Sequence, residues 1–302
     1  MRSELEAWLE ENTGISDPEI VDIREGEGNR NFIVDADQRY VARVSKEVSK
    51  SRLQNEYEAL SFLASEDIED IPSPVCFENN THLGPVLVEN FVGSEDIKKG
   101  DYTSSELIRL AKLVAEIHCI SVERYNSANG SNMDNSKSLR ELFMRDFCEW
   151  GWRPYKEYLE LADDPRDVIK NYFRKHEELV GEIPDVEVNQ AFTHGDLGFN
   201  CRRDSDGIYL IDWEFARIDY PGNEILYFFE HADLDQKQQE LFLEEYRRHR
   251  DLGEAFDKAR KLYPKFLAFN DMIWAAKRVA KGEDKHRGLL EDRLERLSEI
   301  YD

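Results

Sequence analysis

The chain changes character at Gly93, and that change limits the folds open to it. Ahead of the glycine, IVDIREGEGNRNFIVDADQRYVARVSK alternates apolar and polar residues around two turn signals, GEG and DADQ. Period-two alternation broken in this way predicts three strands joined by tight turns. SRLQNEYEALSFLAS then sets Leu53, Tyr57, Leu60 and Leu63 at helical spacing, and PVLVENFVG predicts another strand after Pro72 and Pro74. Residues 2–12 predict a short helix with Leu5, Trp8 and Leu9 on one face. Beyond Gly93, LIRLAKLVAEIHCI and ELFMRDFCEWGWRPYKEYLELA are helical, as is everything from residue 232 onward. Only AFTHGDLGFNCRRDSDGIYLIDWEFA interrupts them, with a β-like run, a loop, a polar turn and a strand ending at Asp212. Strands gathered at one end and helices at the other predict an α+β chain. Its expected parts are a small antiparallel sheet with one packed helix over residues 1–92 and a mostly helical part over 93–302.

Composition narrows the classes of function. At 302 residues with 40% hydrophobic content, the chain can bury a sizeable core. Its net charge of -24 is spread along its length and opposes a generic nucleic-acid or anionic-membrane surface, which needs basic patches. A surface adapted to high salt and a site that attracts a cationic substrate both fit that charge. No stretch approaches the ~20 apolar residues needed to span a bilayer, and MRSELEAWLEENTG lacks the basic start and apolar run of a signal peptide. A soluble, cytoplasmic protein is expected. Cys76, Cys119, Cys148 and Cys201 are scattered without metal-ligand spacing, which points to inert thiols and away from zinc.

The chemistry concentrates in THGDLGFN followed by YLIDWE. Two carboxylates held at the base of a hairpin suit phosphoryl transfer. One orients an attacking hydroxyl and accepts its proton, while the other holds Mg²⁺ on the phosphates. Magnesium takes hard oxygen ligands and uses only one or two protein carboxylates.

These residues, with the EGEGNRNFIV turn, resemble the aminoglycoside phosphotransferase and choline kinase family, over nearly the whole chain from Gly26 to the terminal helices. The resemblance implies a two-lobed, protein-kinase-like fold, ATP and Mg²⁺ as cofactors, and a small-molecule acceptor. It makes Asp196 the catalytic base, Asp212 the principal metal ligand, Asn200 a second metal ligand and His194 a residue that fixes the loop. In this family four residues usually separate the aspartate from the asparagine; here Leu197, Gly198 and Phe199 make three, so a tighter loop is expected. Gly26, Gly28 and Asn29 match the turn over the nucleotide phosphates. Arg43 takes the strand position that grips them, with Glu56 as its partner and Glu58 as the fallback. LVENFVG matches the hinge, where backbone groups near Glu89 and Phe91 would meet adenine. Glu224 matches an acid that braces the catalytic loop, and Glu214 either assists the metal or is simply solvated.

Other features divide between function and packing. Trp150, Trp152, Tyr155, Tyr158 and Trp274 fit either a cation cage or helix anchors, and packing is the commoner fate of such rings. His118 reads as a packed helix residue, and His176 and His231 carry no ligand spacing. Three functions stay open: a kinase acting on an amino alcohol, sugar or aminoglycoside-like amine; a protein kinase of the same fold; and a non-catalytic nucleotide-binding protein. The short ARIDYPGNEI segment counts against the second and the shortened loop admits the third. Acceptor and oligomeric state are left open.

Overall fold

The computed structural model describes residues 1–302 except 27, 47–51, 124, 126–136, 163–165, 206 and 302. Contacts divide the chain into two compact units, residues 1–133 with 190–251 and residues 134–189 with 252–302. In the first, α1 (Arg2–Thr13) precedes β1 (Glu19–Glu25), β2 (Asn29–Asp35), β3 (Arg39–Ser45), α2 (Arg52–Ser65), β4 (Pro74–Thr81) and β5 (Gly84–Asn90). The strands form one antiparallel sheet in the order β1-β2-β3-β5-β4. Alternation gives the sheet two different faces. Phe32, Val34, Ala42, Val44, Val86 and Val88 form a core with Leu5, Trp8 and Leu9 of α1. The intervening residues Asn31, Ile33, Val41, Arg43, Leu87 and Glu89 project from the other face, where Arg43 meets α2 through Glu56.

Past the sheet, β6 (Glu95–Asp96) pairs with β8 (Cys201–Arg203), which in turn pairs with β9 (Ile208–Leu210). This three-stranded sheet ties the segment after Gly93 to the motif-bearing hairpin, so the 92/93 boundary read from the sequence falls inside the first unit. α3 (Ser104–His118) starts at a Thr103/Glu106 capping box. β7 (Ala191–Thr193) pairs with β10 (Arg217–Asp219), and α7 (Pro221–His231) and α8 (Gln236–Arg247) complete the unit.

The second unit holds α4 (Leu139–Asp146), α5 (Arg153–Leu161), α6 (Asp167–Glu182), α9 (Gly253–Ala280) and α10 (Arg287–Tyr301). The helix expected over ELFMRDFCEWGWRPYKEYLELA runs from Leu139 to Leu161, with a π-helical turn at Phe147–Trp152 between α4 and α5. The extra residue in that turn resets the helical face. Phe147 and Gly151 go inward, while Trp150 and Trp152 stay 45% and 46% exposed. Pro154 follows in the first turn of α5 and is buried. Among the described residues no helix is long and apolar enough to cross a membrane.

Candidate active site

Arg43 on β3 is 5% exposed and lies among three carboxylates. Its Nη1 donates to Glu56 Oε2 at 3.1 Å and to Asp212 Oδ1 at 2.9 Å, and its Nε lies 3.3 Å from Glu89 Oε1. Burial alone would lower the Arg43 pKa, but these carboxylates more than offset it and hold it well above the usual value. Glu56 is fully buried one turn into α2, and its Oε1 accepts a hydrogen bond from the Trp213 amide at 3.0 Å. Burial pushes Glu56 upward while Arg43 opposes it. Both its oxygens accept hydrogen bonds, which favours the carboxylate form against that burial.

The loop after β7 builds the second half of the site. His194 is buried, its Nε2 donates to Ile211 O at 2.8 Å, and its Nδ1 accepts from the Asp196 amide at 3.2 Å. These partners assign the Nε2–H tautomer, and burial lowers its pKa, so the ring is neutral. Gly195 at φ 83° is required, because a Cβ there would sit 2.2 Å from Phe215 O. Its amide donates to Glu224 Oε1 at 2.7 Å, and Glu224 Oε2 meets His118 Nε2 at 2.7 Å. Burial would raise Glu224, but His118 and the other neighbours outweigh it and hold the group below the usual carboxylate value.

Asp196 is held at both oxygens. Oδ1 accepts from the Tyr227 hydroxyl at 2.9 Å and Oδ2 from Asn200 Nδ2 at 3.1 Å. Burial first, with Asp212 and Glu214 adding, pushes its pKa up to about 6 against those two hydrogen bonds. The shortened loop is a 3-10 turn, Leu197–Phe199, and it returns Asn200 so that Nδ2 also reaches Asp196 O at 2.8 Å. Gly198 lets this turn lie against α7, since a Cβ would come within 2.6 Å of His231 Cβ. Asp212 does not end its strand as expected. β9 stops at Leu210, and Asp212 takes a left-handed conformation, φ 67°, that opens a second 3-10 turn. With Oδ1 on Arg43, its Oδ2 has no hydrogen-bond partner among the described residues, and neither has Asn200 Oδ1.

Those two oxygens fit a hard divalent cation. Among the described residues no group of three or more His, Cys, Asp or Glu is arranged to hold a metal by itself, so a cation here would complete its shell with ligand oxygens and water. The surplus of carboxylates around one guanidinium favours such a cation. Glu214 joins this region: its Oε1 takes Arg52 at 3.0 Å, and Asn29 Nδ2 approaches its Oε2 at 3.5 Å. The Gly26 amide donates to Asn29 O at 2.9 Å across the turn between β1 and β2, and Gly28 O accepts from the Lys46 amide just past β3 at 2.9 Å.

Two of the expected hinge positions have backbone partners within the protein. The Phe91 amide is donated to Arg39 O at 2.9 Å, so it is engaged within the protein. The Glu89 backbone pairs with both β3 and β4, and what Glu89 presents is its side chain. The aromatic residues are not packed together as one cluster among the described residues. Tyr155 stacks on Phe173 at 3.9 Å and Tyr158 is buried, as packing predicts, and no ring contact among the described residues joins Trp150, Trp152 and Trp274 to them. Tyr227 is the residue missed by sequence reasoning; its signal was a tyrosine one helical turn after Glu224 on α7.

Residues 19–262 match the phosphotransferase enzyme family. The chain belongs to that family. The chain is 29% identical over 120 residues to a protein LicA homolog of Metamycoplasma hominis, a match covering 39% of this chain and 42% of that protein. Its fold resembles a choline kinase LicA from Streptococcus pneumoniae at 15% identity and TM-score 0.65, covering 99% of both chains. It also resembles a spectinomycin phosphotransferase in complex with ADP and spectinomycin, at 14% identity and TM-score 0.67, covering 100% of this chain and 95% of the other. At these identities the likeness establishes the fold, and it is the α+β, protein-kinase-like fold expected.

Proposed function

We propose that this phosphotransferase moves the γ-phosphoryl group of ATP to a hydroxyl of a small metabolite such as an amino alcohol, a sugar or an aminoglycoside-like amine. One observation carries the reading: Asp196, held by Tyr227 and Asn200, is followed across the hairpin by Asp212 and its free oxygen. The acceptor hydroxyl attacks the γ-phosphorus as the bond to the bridging oxygen breaks, ADP leaves, and Asp196 takes the hydroxyl proton. Arg43 is assigned to the phosphates, with Glu56 and Glu89 fixing its guanidinium. Gly26, Gly28 and Asn29 form the turn over them. Asp212 and Asn200 would hold Mg²⁺, which supplies charge neutralisation on the phosphate oxygens. His194 and Glu224 hold the loop and touch no reacting atom. Catalysis then arises from positioning and electrostatics. The nucleotide reading draws support from the ADP complex of the spectinomycin enzyme, and the acceptor class from the choline kinase.

The test is acceptor-dependent ADP release from Mg·ATP against amino alcohols, sugars and aminoglycosides, at low and at high KCl. Stimulation by one class is expected. Mg·ATP bound with no stimulation by any of them would contradict the small-molecule assignment.

A further inference from the structure

The sheet face that carries Arg43 also walls a cavity of about 220 Å³. Strand register places Ile33, Val41 and Glu89 in one row across β2, β3 and β5, and Asn31 beside Arg43 in the next. Ile33 and Val41 line the cavity from the sheet, and Ile211 lines it too, so a flat ring finds apolar walls there. Three polar atoms of the lining are buried and without a hydrogen-bond partner: Glu89 Oε2, Asn31 Oδ1 and Arg43 Nε. Buried groups of this kind are normally satisfied, and leaving one unmade is costly. Glu89 is only 2% exposed, and its Oε1 is already placed against the guanidinium at 3.3 Å.

We propose that Glu89 reads the nucleotide base, its Oε2 accepting a hydrogen bond from the 6-amino group of adenine and repelling the 6-oxo group of guanine. The inference rests on the nucleotide reading above and deepens it by naming the residue that selects the base. A carboxylate oxygen beside a 6-oxo group brings two acceptors together with no proton between them. Asn31 Oδ1 adds a second acceptor to the same lining. The choice of base is thereby assigned to a buried side chain, in addition to any backbone contact.

The experiment is calorimetric binding of ADP, IDP and GDP to the full chain without metal, which needs no turnover. ADP is expected to bind about 10- to 100-fold more tightly than GDP. IDP should track GDP, because both carry the 6-oxo group while IDP lacks the 2-amino group. Glu89→Gln can turn its amide N–H₂ toward a 6-oxo group, so it should bring ADP and GDP to similar affinity. Glu56→Gln disturbs Arg43 from outside the cavity and should leave the ratio of the two affinities in place. Equal binding of ADP and IDP by the wild-type chain would overturn the proposal even if the Glu89 variant fails to fold. So would a wild-type ratio retained in Glu89→Gln, or lost equally in Glu56→Gln. Binding of none of the three would contradict the nucleotide reading itself, and this inference with it.

Discussion

The first unit buries His118 between two partners, and the second buries His176 with none. Both rings are fully buried. His118 Nδ1 lies 2.9 Å from the Tyr246 hydroxyl and its Nε2 2.7 Å from Glu224, which in turn holds the Gly195 amide of the loop after β7. His176 stacks on Phe269 at 4.1 Å with Phe147 and Phe266 around it, and neither of its ring nitrogens has a hydrogen-bond partner. Burial alone therefore pushes His176 down to about 3. The same side chain at the same burial serves as a link in one unit and as a flat packing ring in the other. What separates them is whether a carboxylate was brought within reach. Arg43 follows the rule of the first unit on a larger scale, with three acids against one guanidinium.

Breaking the partnered side of this comparison should have the largest effect. Arg43→Met removes the only cation facing buried Glu56 and Glu89 among the contacts described, and should cost about 3–5 kcal/mol of stability, read by chemical denaturation. A loss below about 1 kcal/mol would mean those acids are already neutral. Asp212→Asn keeps the shape and removes the charge. It should weaken Mg·ADP binding by roughly 10- to 100-fold and leave metal-free ADP nearly unchanged, as titration with and without Mg²⁺ would reveal.

The unpartnered side sharpens the contrast through pH. An unfolded His176 takes up a proton near pH 6.5, whereas the folded one stays neutral down to about 3. Its cost is therefore absent above pH 6.5 and grows as pH falls, by about 1.4 kcal/mol per unit, until the folded pKa is approached. His176→Phe should stay within about 1 kcal/mol of wild type at pH 7.5 and unfold less readily at pH 5. An unchanged acid slope in that variant would show that the ring is partnered. The smallest effect belongs to an exposed pair, Arg166 with Glu291 at 2.8 Å, both about half exposed. Arg166→Ala should change stability by less than about 0.5 kcal/mol.

These contrasts also mark what could be read from the sequence. Alternation around GEG and DADQ located β1, β2 and β3, and the buried face of α1 carried the expected Leu5, Trp8 and Leu9, because each pattern is local. THGDLGFN and LIDWE drew attention to Asp196, Asn200 and Asp212, which the fold gathers in one region. Three things were not legible because they depend on distant chain. The π-helical turn resets the face of a run that is periodic throughout. The left-handed Asp212 ends β9 early. Glu89 faces Arg43 because of strand register, which no segment states by itself. Tyr227 was hidden for the same reason, since its contact with Asp196 spans 31 residues.

The central claim, that Asp196 is the base of a phosphoryl transfer, is tested most directly by the turnover of Asp196→Asn with an acceptor that stimulates the wild-type chain. The account predicts a fall in kcat of about 10²- to 10⁴-fold with ADP affinity unchanged. It also predicts that wild-type kcat/KM declines below about pH 6, where the carboxylate protonates. Full turnover by the Asn variant would contradict it.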